Sequence, residues 1–338
     1  MLTWLYSCLG PCVIGPVWWG LISPNEWAMC RDGRSQSPIN IDPATLLYDK
    51  NLRPLHVERQ QVPAELVNTG QLPVARLTTL IKSDRRKAAA DAHEDAPAKD
   101  IAPRVTGGPL GAYQYRLSEI VFHFGNQTHR IGSDHTVDGE SFAGEVQLMG
   151  YNTIYKNYTE ALKQPHGIVG IAVMIELSSG SSTSELKKIS DLVPEIKFKG
   201  ARVSLKNGIV ASMLMPSTDY YVTYDGSFTY PGCHETVTWI IMNKPIFIST
   251  THFKQWHELR RTERDEDVPQ LMMENHRPVQ PANGRLIRTN IHFRAKDSGR
   301  CVYDNMYYSR NPNRVKLTGH NSMDDYQKRA GPLFDQAT

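Results

Sequence analysis

Ten consecutive residues, Ile168 to Leu177, read IVGIAVMIEL, and no other stretch constrains the fold as tightly. The run is apolar and rich in β-branched residues at both parities, so neither face of a strand built from it can meet water. Such a strand lies inside a sheet covered on both sides, and that arrangement needs a large core. A chain of 338 residues can supply one, because at this length roughly three quarters of the extended-chain surface is removed from water. No apolar stretch approaches the ~20 residues of a bilayer-spanning helix.

Other segments agree with a sheet. Thr236 to Met242 is a second run of the same kind, and Gly144 to Met149 a third strand. Tyr115 to Phe124 alternates near its end: Ile120, Phe122 and Phe124 share one face, and Glu119, Val121 and His123 the other. Helical signals are short, at 159–164, 184–192 and 251–261, the last with Phe253, Trp256 and Leu259 on one side. With 24 Gly, 21 Pro and 15 Tyr, the chain reads as a strand-and-turn protein rather than a helical bundle. A net charge of +3 is too small and too mixed in sign for a dedicated nucleic-acid binder.

The ends and one internal segment stand apart. Residues 1–15 are apolar but lack a basic start, and read as an incomplete leader. Residues 16–294 form one domain. Within it, 82–103 (KSDRRKAAADAHEDAPAKDIAP) is charged, alanine-rich and without aromatics, which predicts a solvated loop or frayed helix between strands. Residues 295–338 turn polar and irregular and read as a disordered tail. The cysteine count is odd: Cys8, Cys12, Cys30, Cys233 and Cys301. Asn126-Gln127-Thr128 and Asn157-Tyr158-Thr159 are glycosylation candidates.

Phosphate-binding loops, dinucleotide fingerprints and nucleophile elbows are missing from the sequence; His234-Glu235 and His257-Glu258 begin zincin-like patterns without the second histidine. Four phrases do carry a signal: Ser35-Gln-Ser-Pro-Ile-Asn-Ile41, Gly132-Ser-Asp-His-Thr-Val-Asp138, Tyr224-Asp-Gly-Ser-Phe-Thr229 and Arg277-Pro-Val-Gln-Pro281. In this order and spacing they resemble the signatures of the α-carbonic anhydrases, from about Trp18 to Phe293. The resemblance implies a mainly β (α+β) fold: a single domain with a central, largely antiparallel twisted sheet and short peripheral helices. It also implies a zinc held by three imidazoles, two from a His-x-His pair on one strand and the third from its neighbour, with an open position for water.

Mapped onto this sequence, the first ligand position holds Val121, the second His123 and the third Gln147. Valine has no donor atom and an amide oxygen is a poor zinc ligand, so neither catalysis nor bound zinc is expected. His123 is expected to be a hydrogen-bonded pocket histidine paired with Gln147. Glu119 lies four residues along the strand, ~13 Å from His123 at the usual rise, and His129 and His135 lack ligand spacing. The resemblance gives Thr229 the place of the hydroxide-orienting threonine and Asp134 that of its carboxylate acceptor, and makes His135 and Glu145 a supporting buried pair. Tyr230 is expected to narrow the cavity mouth, and the stretch Asn68 to Leu72 offers no proton-shuttle histidine.

Within the family the phrases Trp19-Gly-Leu-Ile22, Gly144-Glu-Val-Gln-Leu148, Trp239-Ile-Ile-Met-Asn-Lys-Pro245 and Ile287-Arg-Thr-Asn-Ile291 resemble the acatalytic carbonic anhydrase-related proteins X and XI. That branch implies a secreted glycoprotein that binds neurexin-like cell-surface proteins and holds no zinc, with a Cys30–Cys233 disulfide. It leaves Cys301 as a spare thiol. The insertion at 82–103, Val121 in place of the branch's arginine, the short start and the tail depart from it. The alternative is a zinc-dependent carbonate dehydratase with a rebuilt metal site.

Overall fold

The computed structural model describes residues 15–78, 80–81, 99–125, 131–295, 301–303 and 306–310. Ten strands carry the main sheet: β1 Leu47–Tyr48, β2 Gln61–Asn68, β3 Pro73–Leu77, β4 Tyr115–Phe124, β5 Gly144–Asn152, β6 Ile168–Ser178, β7 Arg202–Val210, β8 Tyr221–Gly226, β9 Val237–Met242 and β10 Arg288–Thr289. They lie in the order β7-β2-β3-β4-β5-β6-β9-β8-β10-β1, and three further strands attached off this path make the sheet 13-stranded. Most neighbours are antiparallel. The exceptions are β6 beside β9 and beside Ile246–Ser249, and β10 beside β1.

The apolar run sits where its composition demands. Val169, Ile171, Val173 and Ile175 enter one core with Ile120, Phe122 and Leu148. Ile168, Ala172 and Met174 enter a second core on the opposite face, with Val121, Trp239 and Phe228. Gly170 belongs to this second face, in register with Trp239 on β9. A Cβ at Gly170 would lie 2.7 Å from the indole ring, so glycine is what lets that ring lie flat on the strand.

The helices are short and peripheral, as at Tyr158–Ala161, Ser184–Ser190 and Thr250–Trp256. The last is capped by Ser249, whose hydroxyl accepts from the His252 N–H, and it closes the first core with Phe253 and Trp256. Cys30 and Cys233 form a disulfide with a Cα–Cα distance of 5.0 Å. By chain entropy, a bridge across 203 residues stabilises by about 5 kcal/mol.

Two boundaries differ from the sequence reading. The disordered tail expected from 295 is replaced, over its first part, by structure. Phe293–Ala295 pairs with Cys301–Tyr303, and Tyr307–Arg310 is helical. Met306 and Tyr308 are buried in the second core, with the Tyr308 ring 5.0 Å from Phe142. Two buried residues in a polar setting, Met306 and Tyr308, anchor the segment. The solvated insertion is likewise shorter at its end: Lys99–Asp100 pairs with Leu80–Ile81, and Ile101 and Ala102 are buried. Residues 1–14, 82–98 and 311–338, with Cys8 and Cys12, lie outside the described residues, as do Asn126 and His129.

Candidate functional site

The spacing of two on β4 places Val121 and His123 on one face, above the second core. On β5, Gln147 lies directly opposite Val121 and Glu145 opposite His123. Val121, His123 and Asp134 are each 1% exposed, and Gln147 and Thr229 are fully buried.

Most of these buried polar groups are hydrogen-bonded to one another or to nearby backbone. His123 Nδ1 donates to the Asn275 carbonyl at 2.7 Å, which fixes the ring's aim and turns Nε2 toward Asp134 Oδ2 at 3.3 Å. The partner expected for His123 was Gln147; the structure corrects this to Asn275 and Asp134. Gln147 Nε2 instead donates to Asp134 Oδ2 and Glu145 Oε1, each at 2.9 Å. Thr229 Oγ1 donates to Gln147 Oε1 at 3.4 Å, so the amide bridges Thr229 and Asp134. The other oxygen of Asp134 accepts the Arg277 N–H at 2.7 Å.

His135 and Glu145 form the supporting pair. The imidazole Nδ1 meets Glu145 Oε1 at 2.9 Å, the His135 backbone N–H donates to Oε2 at 2.8 Å, and Nε2 meets the Tyr224 hydroxyl at 2.6 Å. Burial pushes the Glu145 carboxyl up, but the charge and hydrogen bonds of His135 outweigh it and hold Glu145 below the usual range.

Nearer the surface, Glu119 stands apart from His123. Its Oε1 accepts from the Tyr158 hydroxyl at 3.0 Å and from Tyr230 at 3.3 Å. Burial raises Glu119 despite both bonds and the nearby Arg76, and burial beside this carboxyl raises both phenols as well. Tyr230 was legible as a pocket residue. Tyr158 was not, because its only sequence signal is its place inside a glycosylation triplet. Asn275 and Arg277 were also missed as site residues, lying some 150 positions away on a loop brought over β4. Asn68 is tied to backbone, donating to the carbonyls of Ile196 and Arg260. Asn157 is exposed and caps the helix Tyr158–Ala161 by accepting from the Glu160 N–H at 2.9 Å. Among the described residues, no three His, Cys, Asp or Glu side chains converge to hold a metal ion, and no helix is long and apolar enough to cross a membrane.

The family model of the eukaryotic-type carbonic anhydrases matches residues 15–291. The chain belongs to this family. It is 40% identical over 325 residues to carbonic anhydrase-like protein 2 of Caenorhabditis elegans, covering 94% of this chain and 90% of that one. Carbonic anhydrase-like protein 1 of the same organism is 34% identical over 341 residues, covering 82% and 87%. Mouse carbonic anhydrase 1 is 32% identical over 282 residues, covering 81% of this chain and 98% of its own. On this carbonic anhydrase scaffold, the pocket floor carries a hydrogen-bonded network centred on the Gln147 amide.

Proposed function

We propose that this carbonic anhydrase family member is acatalytic and acts as a secreted interaction protein. The observation that carries the reading is Gln147: both hydrogens and the oxygen of its amide are taken up by Asp134, Glu145 and Thr229. Val121 opposite offers no donor atom, and His123 is the one imidazole at the three positions that the family uses for zinc. One imidazole, a bound amide and an alkyl group do not fit a hydrating zinc, which needs three strong ligands and an open position. The names of the two nematode relatives, carbonic anhydrase-like rather than carbonic anhydrase, support the same reading.

Secretion is supported by the Cys30–Cys233 disulfide, since such bridges persist in oxidising compartments. Asn157 supports it too: its side-chain oxygen caps a helix, while exposure leaves the amide nitrogen open to glycosylation. The partner follows from the resemblance to the related proteins X and XI, and is the ectodomain of a neurexin-like cell-surface protein. Expression of the full chain in a secretory cell line tests this directly. The medium is expected to contain a glycosidase-sensitive protein whose shift is reduced in Asn157→Gln, and an immobilised neurexin ectodomain is expected to retain it with or without a chelator. Retention inside the cell would contradict secretion, and absence of capture would remove the neurexin partner.

A further inference from the structure

The residues that would once have faced solvent in an open cavity are 0–1% exposed, and something must cover them. Above them lie three half-buried side chains from three separate elements. Glu119 stands two residues before Val121 on the same face of β4, Tyr158 opens the helix Tyr158–Ala161, and Tyr230 follows Thr229 on the loop after β8. Tyr158 and Tyr230 both pack against the second core, the cluster that contains Val121. Both phenols donate to the same carboxylate oxygen, Glu119 Oε1.

The geometry points to a latch: Tyr158, Tyr230 and the Glu119 carboxylate that joins them roof the old pocket and shut its floor from solvent. The inference rests on the acatalytic reading only in taking Val121 and Gln147 as that floor. Bulk alone does not describe the roof, because two hydroxyls held by one carboxylate tie a helix and a loop to a sheet strand. Arg76, paired in register with Glu119 on β3, faces the same carboxylate, while Met149 from β5 lies on its other side. The pocket is therefore closed twice over, by its chemistry at the floor and by its roof.

Thiol labelling reads the roof without any need for zinc or a partner. Val121→Cys puts a reporter on the floor of the full chain, and methyl methanethiosulfonate modification at residue 121 is followed by peptide mass spectrometry. A buried thiol reacts only in the open fraction, so removing the roof with Tyr158→Ala and Tyr230→Ala is expected to speed labelling at least ~tenfold. Tyr158→Phe, which deletes one hydroxyl and keeps the ring, is expected to give a smaller acceleration without loss of the fold. An unmodified Cys30–Cys233 bridge and unchanged circular dichroism distinguish opening from unfolding. Equal labelling rates in the parent and in Tyr158→Phe would overturn the hydrogen-bonded latch. Fast labelling in the parent would overturn the roof altogether, yet leave the acatalytic reading intact; zinc binding by the unsubstituted chain would do the reverse.

Discussion

Glu145 shows how far a single residue can be read. Its carboxylate is fully buried, receives two hydrogen bonds from His135 and one from Gln147, and stands below its ordinary value because the His135 contacts outweigh desolvation. A depressed carboxyl contributes stability above the ordinary value of 4.5 and loses it as pH falls through the folded value. Glu145→Gln is expected to destabilise by about 3 kcal/mol at neutral pH, since it strips one partner from a buried pair. Urea unfolding of both proteins should show that gap narrowing below pH 4.5, and a gap that does not change with pH would contradict the assignment. Val121, His123 and Gln147 were legible through the resemblance to the family's ligand positions, and a spacing of two then puts Val121 and His123 on one strand face. The contacts of Asn275 and Arg277 were not, because these residues reach the site through tertiary folding rather than local periodicity.

At the scale of elements, the strands were the legible part, and for one physical reason. A run that is apolar at every position has no surface solution, so Ile168 to Ile175 could only be central, and both faces of β6 are covered. Three of the helices were also found, though shorter than expected, because segments of four to seven residues leave little periodicity to read. The segment around Met306 was misread, since two buried residues among polar ones carry no period at all. Gly170 gives the sharpest test of the strand pairing. Gly170→Ala should destabilise by about 1–3 kcal/mol through overpacking against Trp239, and Trp239→Phe in the same chain should recover part of that loss. If the two substitutions add independently in thermal or urea unfolding, the register of β6 against β9 is wrong.

For the whole molecule, two cores on the two faces of one sheet hold the carbonic anhydrase scaffold together, and the Cys30–Cys233 bridge ties its start to the loop beside Thr229. In the second core, most of the polar floor is hydrogen-bonded by its own side chains, with the Gln147 amide bound by Asp134, Glu145 and Thr229. On the proposed acatalytic reading, the scaffold persists without the chemistry and its outer surface is what remains to be used. The central claim is that this family member does not hydrate CO₂, and stopped-flow hydration by the purified full chain with added zinc measures that directly. The account predicts a rate equal to that of the same zinc-containing buffer at every protein concentration. A rate that rises in proportion to protein and disappears with a chelator would contradict it.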